Sequence, residues 1–251
     1  MLVDVIRARA QAHDRSYEML GRVHARPINF ECLPPVTATY LFADIAGFTA
    51  LTEAHGDEHA AGLVADFCAA IDGAIPDTGA RRVKTIGDAV MLTVPEPAAA
   101  VRLALRITGE LMREHGAPAI RVGLHHGSAI ERDGDFFGAA VNLAARVSAE
   151  ASGGEVLLTG TTAARAPQLD GVIYEPRGRR LLRNVREPVE LFAANRTGAS
   201  SHHALASDPV CRMAVDPESA PGRLVYEGTA YFFCTLACAG QFASRPERYA
   251  R

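Results

Sequence analysis

The stretch Val36-Thr-Ala-Thr-Tyr-Leu-Phe-Ala43 is dense in β-branched and aromatic side chains and follows Pro34-Pro35, so it reads as a strand. Gly47 and Thr49 mark a turn into one helix whose apolar positions run through Leu51, Ala54, Leu63, Val64 and Phe67. Residues 82–86 and 89–94 read as two strands hinged at Gly87-Asp88. Pro97 then opens an amphipathic helix, in which Val101, Ala104, Leu105, Thr108, Leu111 and Met112 keep helical spacing. His115-Gly116 with Pro118 beyond is its stop. A strand over 120–127, a turn at Asp133-Gly134, a helix over 139–149 and strands over 155–159 and 189–193 complete the pattern. Alternating strands and helices over residues 36–195 predict an α/β or α+β domain. Before it, residues 1–35 form an extension whose first 26 residues read as a polar helix with a weak stripe at Val5, Ala8, Ala12, Tyr17 and Leu20. After it, residues 196–206 are small and polar, a linker into a cysteine-bearing module at 207–251.

Composition narrows the class. A hydrophobic share of 48% supports an ordinary globular core, and a net charge of −3 with pI near 6.3 argues against nucleic acid or an anionic membrane as partner. No run approaches the ~20 apolar residues needed to cross a bilayer. Met1-Leu-Val-Asp-Val-Ile-Arg7 meets an acid and a base too early for a signal peptide, so a soluble cytoplasmic protein is expected. In that reducing setting the five cysteines are thiols or metal ligands rather than bridges. Lys84 is the only lysine among 26 basic side chains. A lysine kept in so arginine-biased a chain marks a contact where donor geometry matters.

Asp44 ends an apolar strand, an unusual place for a carboxylate, and Asp88 sits between two apolar strands. Two such acids at one end of a sheet suit hard divalent cations such as Mg²⁺ or Mn²⁺. Backbone amides of residues 46–49, Phe48 and Thr49 among them, could hold phosphate oxygens at a helix start. The residues alone also allow a plainer role, with Asp44 capping the next helix and Asp88 filling a hairpin turn.

The surrounding motifs go further. Phe42-Ala-Asp-Ile-Ala-Gly-Phe-Thr49 resembles the first metal-binding signature of class III nucleotidyl cyclases, and Lys84-Thr-Ile-Gly-Asp88 the second. Arg121-Val-Gly-Leu-His-His-Gly127 is similar to their central strand, and the run from Asp135 to Arg146 to their catalytic helix entry. The run from Leu182 to Phe192 is similar to their closing hairpin. The resemblance implies an α+β fold with a ferredoxin-like core, its antiparallel-rich sheet carrying helices on one face. It implies an adenylate cyclase, a guanylate cyclase being the nearer alternative and a non-catalytic metal-sensing interaction protein the more distant one. Asp44, Ile45 and Asp88 would hold two Mg²⁺ or Mn²⁺ ions per active site. Arg146 would stabilise the transferring phosphoryl group, and Asn142, one turn earlier, would position the ribose. Lys84 would donate to adenine N1 and Asp135 accept from the 6-amino group, which selects ATP; Asp133 lies close enough to be the alternative acceptor. The resemblance also implies a head-to-tail homodimer, with metals held by one subunit and the base-reading and phosphate-reading residues supplied by the other.

In the last module, Cys211-x22-Cys234-x3-Cys238 together with Asp208-Pro-Val-Cys-Arg-Met213, Phe242 and Pro246-Glu-Arg-Tyr249 resembles YHS domains, relatives of the TRASH metal-binding modules. Arg212 stands where the family has glycine. Three thiolates suit Cu(I) or Zn(II), and a unit this small gains folding energy from a metal. His202, His203 or Asp208 could supply a fourth ligand, and metal binding here could regulate the enzyme. The same cysteines also read as small core residues without metal. Cys32 and Cys68 read as isolated thiols, Cys68 on an apolar helix face.

Overall fold

The computed structural model describes residues 33–110, 118–197 and 206–250; the 1–26 helix, Cys32, His202 and His203 lie outside them. Strand β1 (Pro35–Ile45) is the spine of an eight-stranded sheet. It is flanked antiparallel by β3 (Ala89–Val94) and by β4 (Ile120–Arg132), with β2 (Arg81–Ile86) beyond β3. On the other side β4 pairs in parallel with β6 (Val156–Thr159), followed by β8 (Val189–Arg196) and β7 (Val172–Arg180) at the edge. A short strand, β5 (Asp135–Phe137), folds back on the end of β4.

Side chains along β1 alternate between two cores. Leu41, Ala43 and Ile45 enter the larger one, beneath α2 (Asp57–Ala74) and α3 (Pro97–Glu110), with Phe67, Ile71, Val101, Ala104 and Ile107. Ala38, Tyr40 and Phe42 face the other way, against Met91, Phe136 and the small apolar positions of α4 (Ala139–Glu150). The α+β class and antiparallel-rich sheet are as expected, but the helices are not confined to one face. The reason is glycine: Gly123 and Gly127 on β4 let α4 approach the second face. A Cβ at Gly123 would sit 2.0 Å from the Ser148 backbone nitrogen, and one at Gly127 would sit 2.9 Å from Ala140 Cβ.

The helix expected across 51–67 is two helices. Gly56, at φ 85°, breaks it into α1 (Phe48–His55) and α2. Asp57 and Glu58 then open α2, where negative charge complements the helix dipole. Three elements between residues 36 and 195 were absent from the pattern: β5, α5 (Gly160–Arg165), capped by the Thr159 hydroxyl, and β7.

The cysteine-bearing segment contains two small hairpins, β9 (Ala206–Ser207) with β10 (Ala214–Val215) and β11 (Gly222–Tyr226) with β12 (Thr229–Phe233). Two helices follow, α6 (Leu236–Ser244) and α7 (Pro246–Tyr249). This segment has no separate core. Val210, Met213, Phe233 and Phe242 share one apolar cluster with Leu51 of α1 and Ala60 of α2. Met213 also bridges in antiparallel fashion to Pro118, just ahead of β4.

Candidate functional site

Asp44 lies on the α4-bearing face of the sheet, because β1 alternation puts it with Tyr40 and Phe42. Its register partners are Ala89 and Arg121. The Arg121 guanidinium donates to Asp44 Oδ2 through Nε at 2.8 Å and Nη2 at 2.5 Å, and reaches on to the Ala149 carbonyl at 3.4 Å. Asp88, in the β2–β3 turn after Gly87 at φ 62°, lies within hydrogen-bond reach of Asp44. Burial first, then the neighbouring Asp44 carboxylate, pushes the Asp88 pKa up to about 6. Two carboxylates held this close repel when both are ionised, and a divalent cation between them relieves that repulsion. The donor set fits hard ions with oxygen ligands. Ile45 is in the core with its side chain buried, so its backbone carbonyl is its one route to a metal.

Lys84 and Asp135 come together as an ion pair at 2.5 Å, and the Lys84 ammonium lies 5.9 Å from the Phe137 ring centroid. The hydrogen bond from Lys84 holds the Asp135 carboxyl below its usual range. Asp133 is elsewhere: it occupies the left-handed turn position at φ 51°, its side chain 93% exposed beside Arg132. Asn142 and Arg146 stand on the same exposed side of α4, one turn apart, and neither side chain has a hydrogen-bond or ion-pair partner among the described residues. The structure therefore joins Asp44 to Asp88 and Lys84 to Asp135, but does not join Asn142 or Arg146 to either pair within one chain.

Phe48 is the first residue of α1, half-buried between the two cores it touches, and Thr49 is exposed beside it. Gly47, the N-cap at φ 77°, offers no side-chain cap, so the first amides of α1 are left for an outside acceptor.

A second cluster lies at the other end of α1. Cys211 Sγ and Cys234 Sγ are 3.4 Å apart, and Cys234 Sγ and Cys238 Sγ 3.8 Å. His55 Nε2 is 3.7 Å from Cys234 Sγ and 3.9 Å from Cys238 Sγ, and all four ligand atoms lie within 4.8 Å of one another. The sulfurs are too far apart for disulfides, whose bond is about 2.05 Å. Thiol hydrogen bonds from Cys211 and Cys234 pull the Cys238 thiol down to about 2, while the same crowding pushes Cys211 far up. Asp208 is not a ligand here. Fully buried, its Oδ1 accepts from the Val210 and Cys211 amides and its Oδ2 from the Cys234 amide, which ties the two cysteine loops together.

Sequence reasoning missed His55 and gave no role to Arg121. Arg121 stood inside a quoted motif, opposite Asp44 once the strands pair. His55 carries no spacing signal, since 179 residues separate it from Cys234.

The adenylate and guanylate cyclase catalytic-domain model matches residues 34–193, and the YHS domain model residues 206–251. A pH-sensitive adenylate cyclase of Mycobacterium tuberculosis is 38% identical over 171 residues, which cover 64% of this chain and 42% of that protein. An adenylate cyclase of Streptomyces griseus is 37% identical over 122 residues, 49% of this chain and 31% of that one. The chain thus spans less than half the length of these curated relatives. Among solved structures, an adenylate cyclase from Trypanosoma brucei in its monomeric state superposes with TM-score 0.57 at 27% identity, covering 65% of this chain and 91% of that one. The adenylyl cyclase CyaB from P. aeruginosa has the same fold, with TM-score 0.57 at 21% identity over 66% and 98%.

Proposed function

Because the chain belongs to the adenylate and guanylate cyclase catalytic-domain family and carries a YHS domain behind it, we propose that it converts ATP to 3′,5′-cyclic AMP and pyrophosphate. Family membership leaves the base open, and the observation that carries the choice of ATP is the Lys84–Asp135 pair. Adenine offers an acceptor at N1 and a donor at its 6-amino group, which an ammonium and a carboxylate side by side can read. Guanine offers a donor at N1 and an acceptor at O6, and would meet the wrong partner at both positions.

Asp44, Asp88 and the Ile45 carbonyl would hold a pair of Mg²⁺ or Mn²⁺ ions, which when bound favour ionisation of the ribose 3′-hydroxyl and neutralise the β- and γ-phosphates. The 3′-oxygen bonds to the α-phosphorus, the bond from that phosphorus to the bridging oxygen breaks, and pyrophosphate leaves; the 3′-hydroxyl proton passes to water. Within one protomer, Arg121 holds Asp44 in place from the neighbouring strand. The uncapped start of α1 offers amides to phosphate oxygens. Arg146 stabilises charge on the transferring and leaving phosphates, and Asn142 orients the ribose.

Arg146 and Asn142 act across a homodimer interface in this reading, paired head to tail so that each site draws metal ligands from one subunit and base-reading residues from the other. The lack of side-chain partners for both among the described residues supports this, as do Ile86 and Phe137, 50% and 54% exposed beside Asp88 and Asp135. The test is a cyclisation assay of the purified full chain with Mn²⁺ and either ATP or GTP. Cyclic AMP from ATP, lost by 10³-fold or more in Asp44→Ala, is the expected result on the scale of removing a catalytic metal. A folded, homogeneous dimer that makes no cyclic AMP would sink the reading.

A further inference from the structure

The segment around the cysteines grips α1 at both ends. At its start, Gly47 is covered by Arg212, whose Cγ and Cβ would lie 2.6 and 2.8 Å from a Cβ placed there. Arg212 adopts φ 67°, a left-handed conformation that costs a non-glycine residue energy, and its stem is the part that reaches the Gly47 turn between β1 and α1. At its end, α1 delivers His55 to the three sulfurs. Between the two, Leu51 is buried in the apolar cluster shared with Val210 and Phe233.

The four-atom cluster has the dimensions of a metal site. A tetrahedral zinc ion with Zn–S near 2.3 Å and Zn–N near 2.05 Å needs edges of about 3.8 Å between sulfurs and about 3.6 Å from sulfur to nitrogen. Four of the six edges are 3.4 and 3.8 Å between sulfurs and 3.7 and 3.9 Å to nitrogen, and the other two are no longer than 4.8 Å. Other features of a working site are present. Asp208 fixes the backbone of Cys211 and Cys234, and the Thr235 hydroxyl caps α6 by accepting from the Cys238 amide. An open hollow of about 480 Å³, lined by His55, Glu58, His59 and Asp66, reaches the histidine side and gives an ion a path in.

We propose that a single Zn²⁺ bound by His55, Cys211, Cys234 and Cys238 joins the C-terminal segment to the cyclase domain and holds α1, and with it the Ala46–Gly47 turn that follows Asp44 and Ile45, in place. The three thiolates come from one segment and the imidazole from the other, so the ion is a cross-link between two parts of the chain 183 residues apart at its widest. The ion's effect on the turn after Asp44 follows from covalent continuity: α1 is eight residues long, with Phe48 at one end and His55 at the other. The proposal extends the cyclase reading, since the turn at stake is the one that links the strand end carrying Asp44 to the start of α1. Its test reads metal binding and backbone exchange, so it stays decisive whatever the activity.

The experiment uses the full chain, reduced and stripped of metal, in three forms: native, His55→Ala and His55→Cys. Zinc affinity is measured by competition with a chromophoric chelator, coordination by the absorption of the Co²⁺-substituted protein, and hydrogen exchange is followed over residues 48–55. The native chain is expected to bind one Zn²⁺, to give the spectrum of a four-coordinate sulfur-rich site, and to gain exchange protection in α1 when zinc binds. His55→Ala should bind at least tenfold more weakly, shift the Co²⁺ spectrum and lose that zinc-dependent protection, on the scale seen when a metal site loses supporting groups. His55→Cys should restore both binding and protection with an all-sulfur spectrum, which separates loss of a ligand from misfolding. Native-like affinity and spectrum in His55→Ala would overturn the shared site, and so would absence of zinc binding in the native chain. Zinc binding that leaves exchange in α1 unchanged would overturn the hold on α1 and the turn.

Discussion

Lys84 and Asp135, 51 residues apart in sequence, meet as an ion pair at the rim of the sheet, beside the exposed ring of Phe137. The hydrogen bond from Lys84 lowers the pKa of the Asp135 carboxyl and so favours its ionised form, the one that can accept from an amino group. Replacing them together, as Lys84→Glu with Asp135→Cys, reverses the donor and acceptor pattern. Turnover of ATP is expected to fall by roughly 100-fold or more and the ratio of GTP to ATP use to rise, as when a site loses hydrogen bonds to its preferred substrate. Parallel assays of cyclic AMP and cyclic GMP check this, and Lys84→Arg alone should also lose ATP use, because a guanidinium fork does not substitute for an ammonium at one ring nitrogen.

Asp88 predicts a pH dependence whose sign can be worked out. Its pKa in the folded chain, about 6, lies above the ordinary 3.8, so the native state keeps a proton that the unfolded chain has already lost. Stability of the metal-free protein therefore falls as pH rises from 3.8 through about 6 and stays lowered above that. Asp88→Asn removes the charge. In chelator it should melt roughly 2–4 °C higher than the native chain at pH 7.5 and show no such gain at pH 4. Conversely, Mn²⁺ must displace that proton, so apparent Mn²⁺ affinity should drop about tenfold per pH unit below pH 6. Melting curves with and without Mn²⁺ at several pH values measure both.

His125 gives the opposite slope. Burial, then the neighbouring His126, lowers its pKa from 6.5 to about 4, while its Nδ1 shares a hydrogen bond with the Thr159 hydroxyl at 2.8 Å. The unfolded chain takes up the proton first, so this contribution is whole above pH 6.5 and is lost progressively as pH falls toward 4. His125→Gln should be less stable at pH 7 but lose less on going to pH 5. Urea denaturation midpoints at the two pH values decide it.

Gly123 is where α4 touches the sheet, and an alanine there would put Cβ 2.0 Å from the Ser148 nitrogen. Backbone cannot rotate away as a side chain does, so Gly123→Ala should cost roughly 3 kcal/mol or more, at the upper end for overpacking. Gly127→Ala meets the Ala140 methyl and the His125 ring tip, and should cost less. Thermal melts order the two variants, and an equal or reversed order would mean that α4 does not rest on β4 as described.

Several of these relationships were legible before any coordinates, and others were hidden for physical reasons. Asp44 declared itself because a carboxylate ending an apolar strand needs an explanation. Asp135 and Lys84 were named from motif positions, and the structure pairs the two, while Asp133 lies in an exposed turn that Asp133 and Gly134 build with positive φ. The break at Gly56 was missed because apolar spacing continues across it from Leu51 and Ala54 to Leu63, and a lone glycine in a helical pattern is often tolerated. β7 was missed because Val172–Arg180 is an exposed edge strand, with four charged residues, Pro176 and Gly178 concealing its period of two. His55 was out of reach altogether: only the packing of the two segments brings an imidazole to the thiols.

That packing also bears on how such a chain is inherited. Leu51 and Ala60 are covered by Val210, Met213, Phe233 and Phe242, and Arg212 stands over Gly47. A gene rearrangement that traded the C-terminal segment for another would uncover an apolar surface on two cyclase helices, whatever the replacement could bind. The two segments are therefore expected to change together, with substitutions at 47, 51, 55 and 60 tracking those at 210–213 and 233–242 across descendants.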